Sequence, residues 1–175
     1  MSDWRQIAWV LVSHLFLFFA IGEANTFLAG ARIHLSLDLL LLVFPGLFLP
    51  IYPGAFIVLI MALLSGTAHP LPISVHYIGY LLTWLILVWS RTRIRIGNNW
   101  QIRTVSILLQ LLWMSVLTVY VIWPNLPQFA IPGRLLMDAV CSLLVLLILA
   151  PLWCAGQKYL LLLLGWNMES NPLRS

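Results

Sequence analysis

Charge is scarce in this sequence: Asp, Glu, Lys and Arg together make up 8% of 175 residues, and only five of them are acidic. A soluble domain carries about a quarter of its residues as charges, which excludes a water-soluble domain built around one buried core. Cysteine is nearly missing as well. Cys141 and Cys154 fall within one apolar run and read as small buried hydrophobes. No Gly-rich phosphate loop, HExxH pair or GxSxG elbow occurs. Of the four histidines, His14, His34, His69 and His76, the last two would share a face if helical. Pro70 and Pro72 interrupt that stretch, and no third ligand at metal spacing follows. The chain is therefore read as not an enzyme, and neither a cofactor, a metal nor a nucleic acid partner is expected. The repeated ten-residue alternation of a membrane barrel is also missing, leaving helices as the spanning element.

What the sequence has is apolar: 62% hydrophobic residues, a mean hydropathy of +1.01 and nine tryptophans. This composition predicts an all-α integral membrane protein with a single membrane domain over 1–175. A hydrocarbon core about 30 Å thick needs about 20 apolar residues per helix. Six spans are expected at about 4–22, 33–50, 53–67, 74–90, 104–123 and 135–154. The first is read as a retained helix, because its weak n-region and poor small-residue exit do not suit a signal peptide. Spans two and three meet at Leu49-Pro50-Ile51-Tyr52-Pro53, where two prolines stop helix propagation and predict a short hairpin. Pro45-Gly46 should bend its first arm. At a 1.5 Å rise, about 35 residues reach roughly 50 Å, barely two crossings. A re-entrant loop with five spans is the rival. The apolar stretch 159–166, after Lys158, is too short to cross and either lies at the interface or extends the last helix.

Positive charge gathers in RTRIRIGNNWQIR, where Arg91, Arg93, Arg95 and Arg103 occupy the loop 91–103 between spans four and five. Short basic loops stay cytoplasmic. Six spans would then place Arg5, the loop, Lys158 and Arg174 on that side, and only Arg32 and Arg134 opposite: seven cations against two. Both termini are expected inside. The alternating arginines also suit anionic lipid headgroups or a cytoplasmic partner. Trp100, Trp113, Trp123, Trp153 and Trp166 fall mostly near span ends and read as interfacial anchors.

Among the acids, Asp38 and Asp138 stand within or beside apolar runs, where an ionisable group is a functional candidate. Each has a neighbour able to neutralise it, Arg32 or His34 for Asp38 and Arg134 for Asp138, so both read as paired acids at the outer rim. The run GAFIVLIMALLSGTAHPLPISVHYIGY joins Ser65-Gly66, a Pro-rich turn, and Ser74, His76, Tyr77 and Tyr80. It reads as a close helix crossing of small and hydroxyl residues, or as a small-molecule pocket at the outer surface. Leucine at Ser65 or Gly66 is expected to be damaging, and alanine at Asp38, Asp138, His69 or His76 milder.

The order of an N-terminal span, SLDLLLLVFPGLFLP, PGAFIVLIMALLSG, a short turn, a span ending in basic residues and two further spans resembles the rod shape-determining protein MreD family. Asp38-Leu39-Leu40 partly matches the start of that family's second span. Gly54, Ser65 and Gly66 match its third, where Ala62 replaces the usual acid. The resemblance covers most of residues 33–158. It implies a non-catalytic scaffold of the bacterial inner membrane, in contact with lipids, an MreC-like protein and other components of the cell-elongation and peptidoglycan machinery. Asp38, Gly54, Ser65, Gly66, Arg91, Arg93, Arg95 and Arg103 are its packing and partner candidates. The family's fold is similar to the substrate-binding S components of energy-coupling-factor transporters. That similarity implies an alternative, a subunit binding a vitamin or metal at its outer face through Glu23, Asn25, Arg32, His34, His69, His76 and Tyr77.

Overall fold

The computed structural model describes residues 3–68, 72–93, 99–122 and 131–165. Among them the fold is all-α, with six α-helices: α1 Asp3–Leu28, α2 Leu40–Phe48, α3 Ile51–Ala68, α4 Ile73–Arg93, α5 Asn99–Ile122 and α6 Ile131–Leu163. By length and composition, three stretches can cross a membrane: Trp4–Ala31, Ile73–Arg91 and Leu136–Leu163.

The shortest helix is the hub. Every residue of α2 from Leu40 to Leu47 is buried, and α2 touches each of the other five helices. Contacts fix its neighbours' directions. Gly54 of α3 lies against the Pro45 carbonyl, and Ser65 shares the Tyr80 hydroxyl with Asp38, so α3 runs antiparallel to α2. Gly46 lies on Leu87 and the Leu49 carbonyl meets Arg91, so α4 runs parallel to it. Along α6, His34 meets Asp138, Ser36 meets Ser142, and Phe48 meets Lys158, again parallel. Helix α1 opposes α6, with Ser13 bonded to Gln157 and Gln6 to the Leu164 carbonyl.

Helix ends follow local chemistry. After Leu28 the chain tightens into a 3-10 turn, Ala29–Ala31, and Arg32 takes the left-handed conformation at φ 57°. The Arg32 N–H bonds the Ala29 carbonyl at 3.0 Å and the Ile33 N–H the Leu28 carbonyl at 3.3 Å, the paired bonds of a Schellman stop. Helix α2 ends at Leu49, extended at ψ 153° because Pro50 follows it. Pro50 then accepts the first bond of α3 from the Gly54 N–H at 2.9 Å. Pro53 fits in the first turn of α3, where its missing donor has no partner to lose.

Several boundaries differ from expectation. The 33–50 stretch is not one helix, since α2 starts only at Leu40 and residues before it are unwound. The turn between α2 and α3 is Leu49-Pro50, not 50–53. The 159–163 stretch extends the last helix, which carries Pro151 in its interior. Trp113 is no anchor: it is buried, edge-on to Tyr80 at 5.9 Å and His76 at 6.1 Å. Trp153 is half-buried with its ring 5.5 Å from that of His14. Trp100 is exposed, and Trp123 and Trp166 lie outside the described residues.

Candidate functional site: a clamped, unwound segment

Ser36 and Asp38 favour turns and local bonds over helix, and the stretch leading into α2 is held open by side chains from three helices. A buried backbone group without a partner costs about 1–3 kcal/mol, so each clamp matters. The N–H of His34 donates to Asp138 Oδ1 at 2.9 Å, that of Leu35 to Asn25 Oδ1 at 2.7 Å, and that of Ser36 to Ser142 Oγ at 2.9 Å. On the acceptor side, Asn25 Nδ2 donates to the Leu35 carbonyl at 2.9 Å and Gln110 Nε2 to the Ser36 carbonyl at 2.8 Å. Ser142 Oγ also donates to the Asp138 carbonyl one turn back, at 2.6 Å. Thus α1, α5 and α6 supply the bonds that a helix over 34–36 would have made internally.

Asp38 sits at the end of this segment, 9% exposed. Its Oδ2 accepts the Ser36 hydroxyl at 3.2 Å and its Oδ1 the Tyr80 hydroxyl at 3.0 Å. Tyr80 Oη also lies 2.7 Å from Ser65 Oγ. A phenol has one proton and a carboxylate can only accept, so Tyr80 donates to Asp38 and Ser65 donates to Tyr80. Tyr80 and Ser65 are fully buried. The relay Ser65 to Tyr80 to Asp38 therefore ties α3 and α4 to the start of α2. Asp38 is packed in a hydroxyl cage and Asp138 is a backbone clamp.

The remaining candidates are placed as follows. Gly54 and Gly66 sit at close crossings, where an added Cβ would lie 2.8 Å from the Pro45 carbonyl oxygen and 3.2 Å from Ile73 Cα. Arg91, in the last turn of α4, donates to the Leu49 carbonyl beyond the C-terminus of α2, where a cation also meets the helix dipole favourably. Lys158 Nζ stands 3.9 Å over the Phe48 ring at the same end. Arg103 is half-buried in α5. Arg93 closes α4, and Arg95 and His69 lie outside the described residues, as does the Arg134 side chain proposed to pair with Asp138. On α4, His76 packs against Tyr80 of the same helix and Trp113 of α5, and Tyr77 is half-buried beside it.

Glu23, Asn25 and His34 do come together, lining with Asp38 a cleft of about 300 Å³ between α1 and the unwound segment. Arg32, His76 and Tyr77 are not part of its lining. Sequence reasoning missed Ser36, Gln110 and Ser142 as a set; the available signals were the amide of Gln110 amid an apolar run and Ser142 at i+4 from Asp138. Among the described residues no three His, Cys, Asp or Glu side chains gather to hold a metal ion. No family model, curated protein or solved structure matches the chain.

Proposed function

We propose that this chain is a multi-pass, non-catalytic scaffold of the bacterial cytoplasmic membrane, acting with an MreC-like protein in cell elongation as the resemblance to MreD implies. The observation that carries the non-catalytic part is how the buried polar side chains are used. Asp38, Tyr80, Ser65, Gln110, Asp138 and Ser142 bond one another or the backbone, and so are spent on joining helices. They hold a shape.

Membrane residence is supported by the distribution of polarity. Large apolar side chains face outward, such as Phe16 at 73% and Phe27 at 87% exposure, while Gln6, His14, Gln110 and Gln157 are buried. Water would penalise that surface and lipid would not. Six crossings are supported by the course of residues 34–48. Their partners on α6 step from Asp138 to Lys158, twenty residues or about 30 Å of helix, the thickness of a hydrocarbon core. A re-entrant loop would turn back short of that. Four unwound residues, 34–37, at up to about 3.3 Å each and eleven in the turn and helix 38–48 at about 1.5 Å also give roughly 30 Å, enough for one crossing. Arg91 and Lys158 meet the same end of α2, which supports the reading that this end and both termini are cytoplasmic.

A depletion strain tests the function. The chain should restore rod shape, and Gly66→Leu, forced against Ile73, should fail to do so while losing the MreC-like partner. Intact rods after depletion, together with lost uptake of a small molecule, would favour the second reading, an S-component-like transporter subunit. The cleft beside Glu23 and His34 is the observation that keeps that reading in view.

A further inference from the structure

We infer that the cleft between the C-terminal half of α1 and the unwound segment is a binding site for a small organic cation with an apolar body. Its volume of about 300 Å³ falls at the lower end of the range for small-molecule pockets. Phe18, Ile21, Leu37 and Leu41 wall it, which suits a hydrocarbon or aromatic body and not a bare metal ion that asks for a shell of oxygens.

Its charge runs against that of the chain. Nine Lys and Arg outnumber five acids overall, yet Glu23 and Asp38 both line this cleft, and among the described residues its lining holds no Lys or Arg, with His34 as its one basic side chain. Asp38 is fixed by the Ser36 and Tyr80 hydroxyls, so its charge is held in place beside a poorly solvated wall, where Coulomb attraction is strong. Glu23 is exposed at the mouth. Asn25 spends its amide on the Leu35 backbone and acts as a strut. Phe18, half-buried, adds an aromatic ring to the lining, the kind of group a cation favours.

Glycine at 22 leaves the room. It lines the cleft, and a Cβ added there meets nothing within 4 Å, so a larger side chain would occupy the ligand's space without displacing protein. This site is separate from the scaffold reading, and it gives the uptake reading its ligand class. Partner retention would stand even if the cleft bound nothing.

The test uses the full chain in phosphatidylcholine nanodiscs, with benzyltrimethylammonium as probe, benzyl alcohol and phenylacetate as neutral and anionic comparators, and empty nanodiscs subtracted. Calorimetry should give the cation at least about tenfold tighter binding than either comparator. Glu23→Gln should weaken it about tenfold, and Gly22→Leu should abolish it without lowering the melting temperature. Binding of the cation no tighter than benzyl alcohol, or binding unchanged by Gly22→Leu or by Glu23→Gln, would overturn the assignment.

Discussion

Replacing Tyr80 by Phe removes one oxygen and should cost far more than its volume suggests. The hydroxyl donates to Asp38 at 3.0 Å and accepts from Ser65 at 2.7 Å. Without it, the carboxylate keeps the Ser36 hydroxyl but loses Tyr80, and the Ser65 hydroxyl, with no exposed surface, loses its acceptor there. A hydrogen bond to a charged group is worth about 1.5–3 kcal/mol and a stranded buried donor about 1–3 kcal/mol. Interhelical bonds within membranes average only about 0.6 kcal/mol, because the unfolded reference also finds partners. Full burial and the charged acceptor put Tyr80→Phe above that average, at about 2–4 kcal/mol. Ser65→Ala leaves the donation to Asp38 intact and should cost about 1 kcal/mol. Reversible unfolding in mixed micelles, titrated with dodecyl sulfate, would measure both. A Tyr80→Phe chain within 0.5 kcal/mol of the parent, or one less affected than Ser65→Ala, would refute the relay.

Three further outcomes follow from the packing, the helix stop and the orientation. A Cβ at Gly79 would come inside 3.0 Å of the Trp113 ring, so Gly79→Ala should lose about 1–3 kcal/mol, and Trp113→Leu should recover part of it in a double-mutant cycle; additive losses would show that the two do not touch. Arg32→Gly should leave the melting temperature unchanged or raise stability by about 1 kcal/mol, since left-handed backbone penalises a side chain, whereas Arg32→Val should lower it. In a chain whose Cys141 and Cys154 are replaced by alanine, Asn99→Cys, exposed at the start of α5, should resist an impermeant thiol reagent applied outside intact cells; labelling there would reverse the orientation.

The apolar runs made the helices legible, and prolines marked the α2–α3 turn to within a residue or two. Unwinding before α2 was not legible, because the groups that hold it come from far along the chain. Asn25, Gln110 and Ser142 are separated from their backbone partners by 10, 74 and 106 residues. Each alone reads as an ordinary polar residue in an apolar helix. Asp38 was singled out for being an acid in an apolar run, but its caging hydroxyl on Tyr80 stands 42 residues away. The expectation that alanine at Asp38 or Asp138 is mild changes accordingly: both now carry fold-holding bonds, and their loss should resemble that of Tyr80. Trp113 stands mid-span in 104–123, and its position along the chain says nothing of the Gly79 facing it. The cleft was foreshadowed by Glu23, Asn25 and His34, which flank one short connection.

Affinity purification of the full chain from native membranes, read by mass spectrometry, tests the scaffold reading most directly. An MreC-like protein and peptidoglycan synthases should be among the retained partners, with retention lost in Gly66→Leu at equal membrane level. Recovery of transporter ATPases in place of cell-wall proteins would contradict that reading.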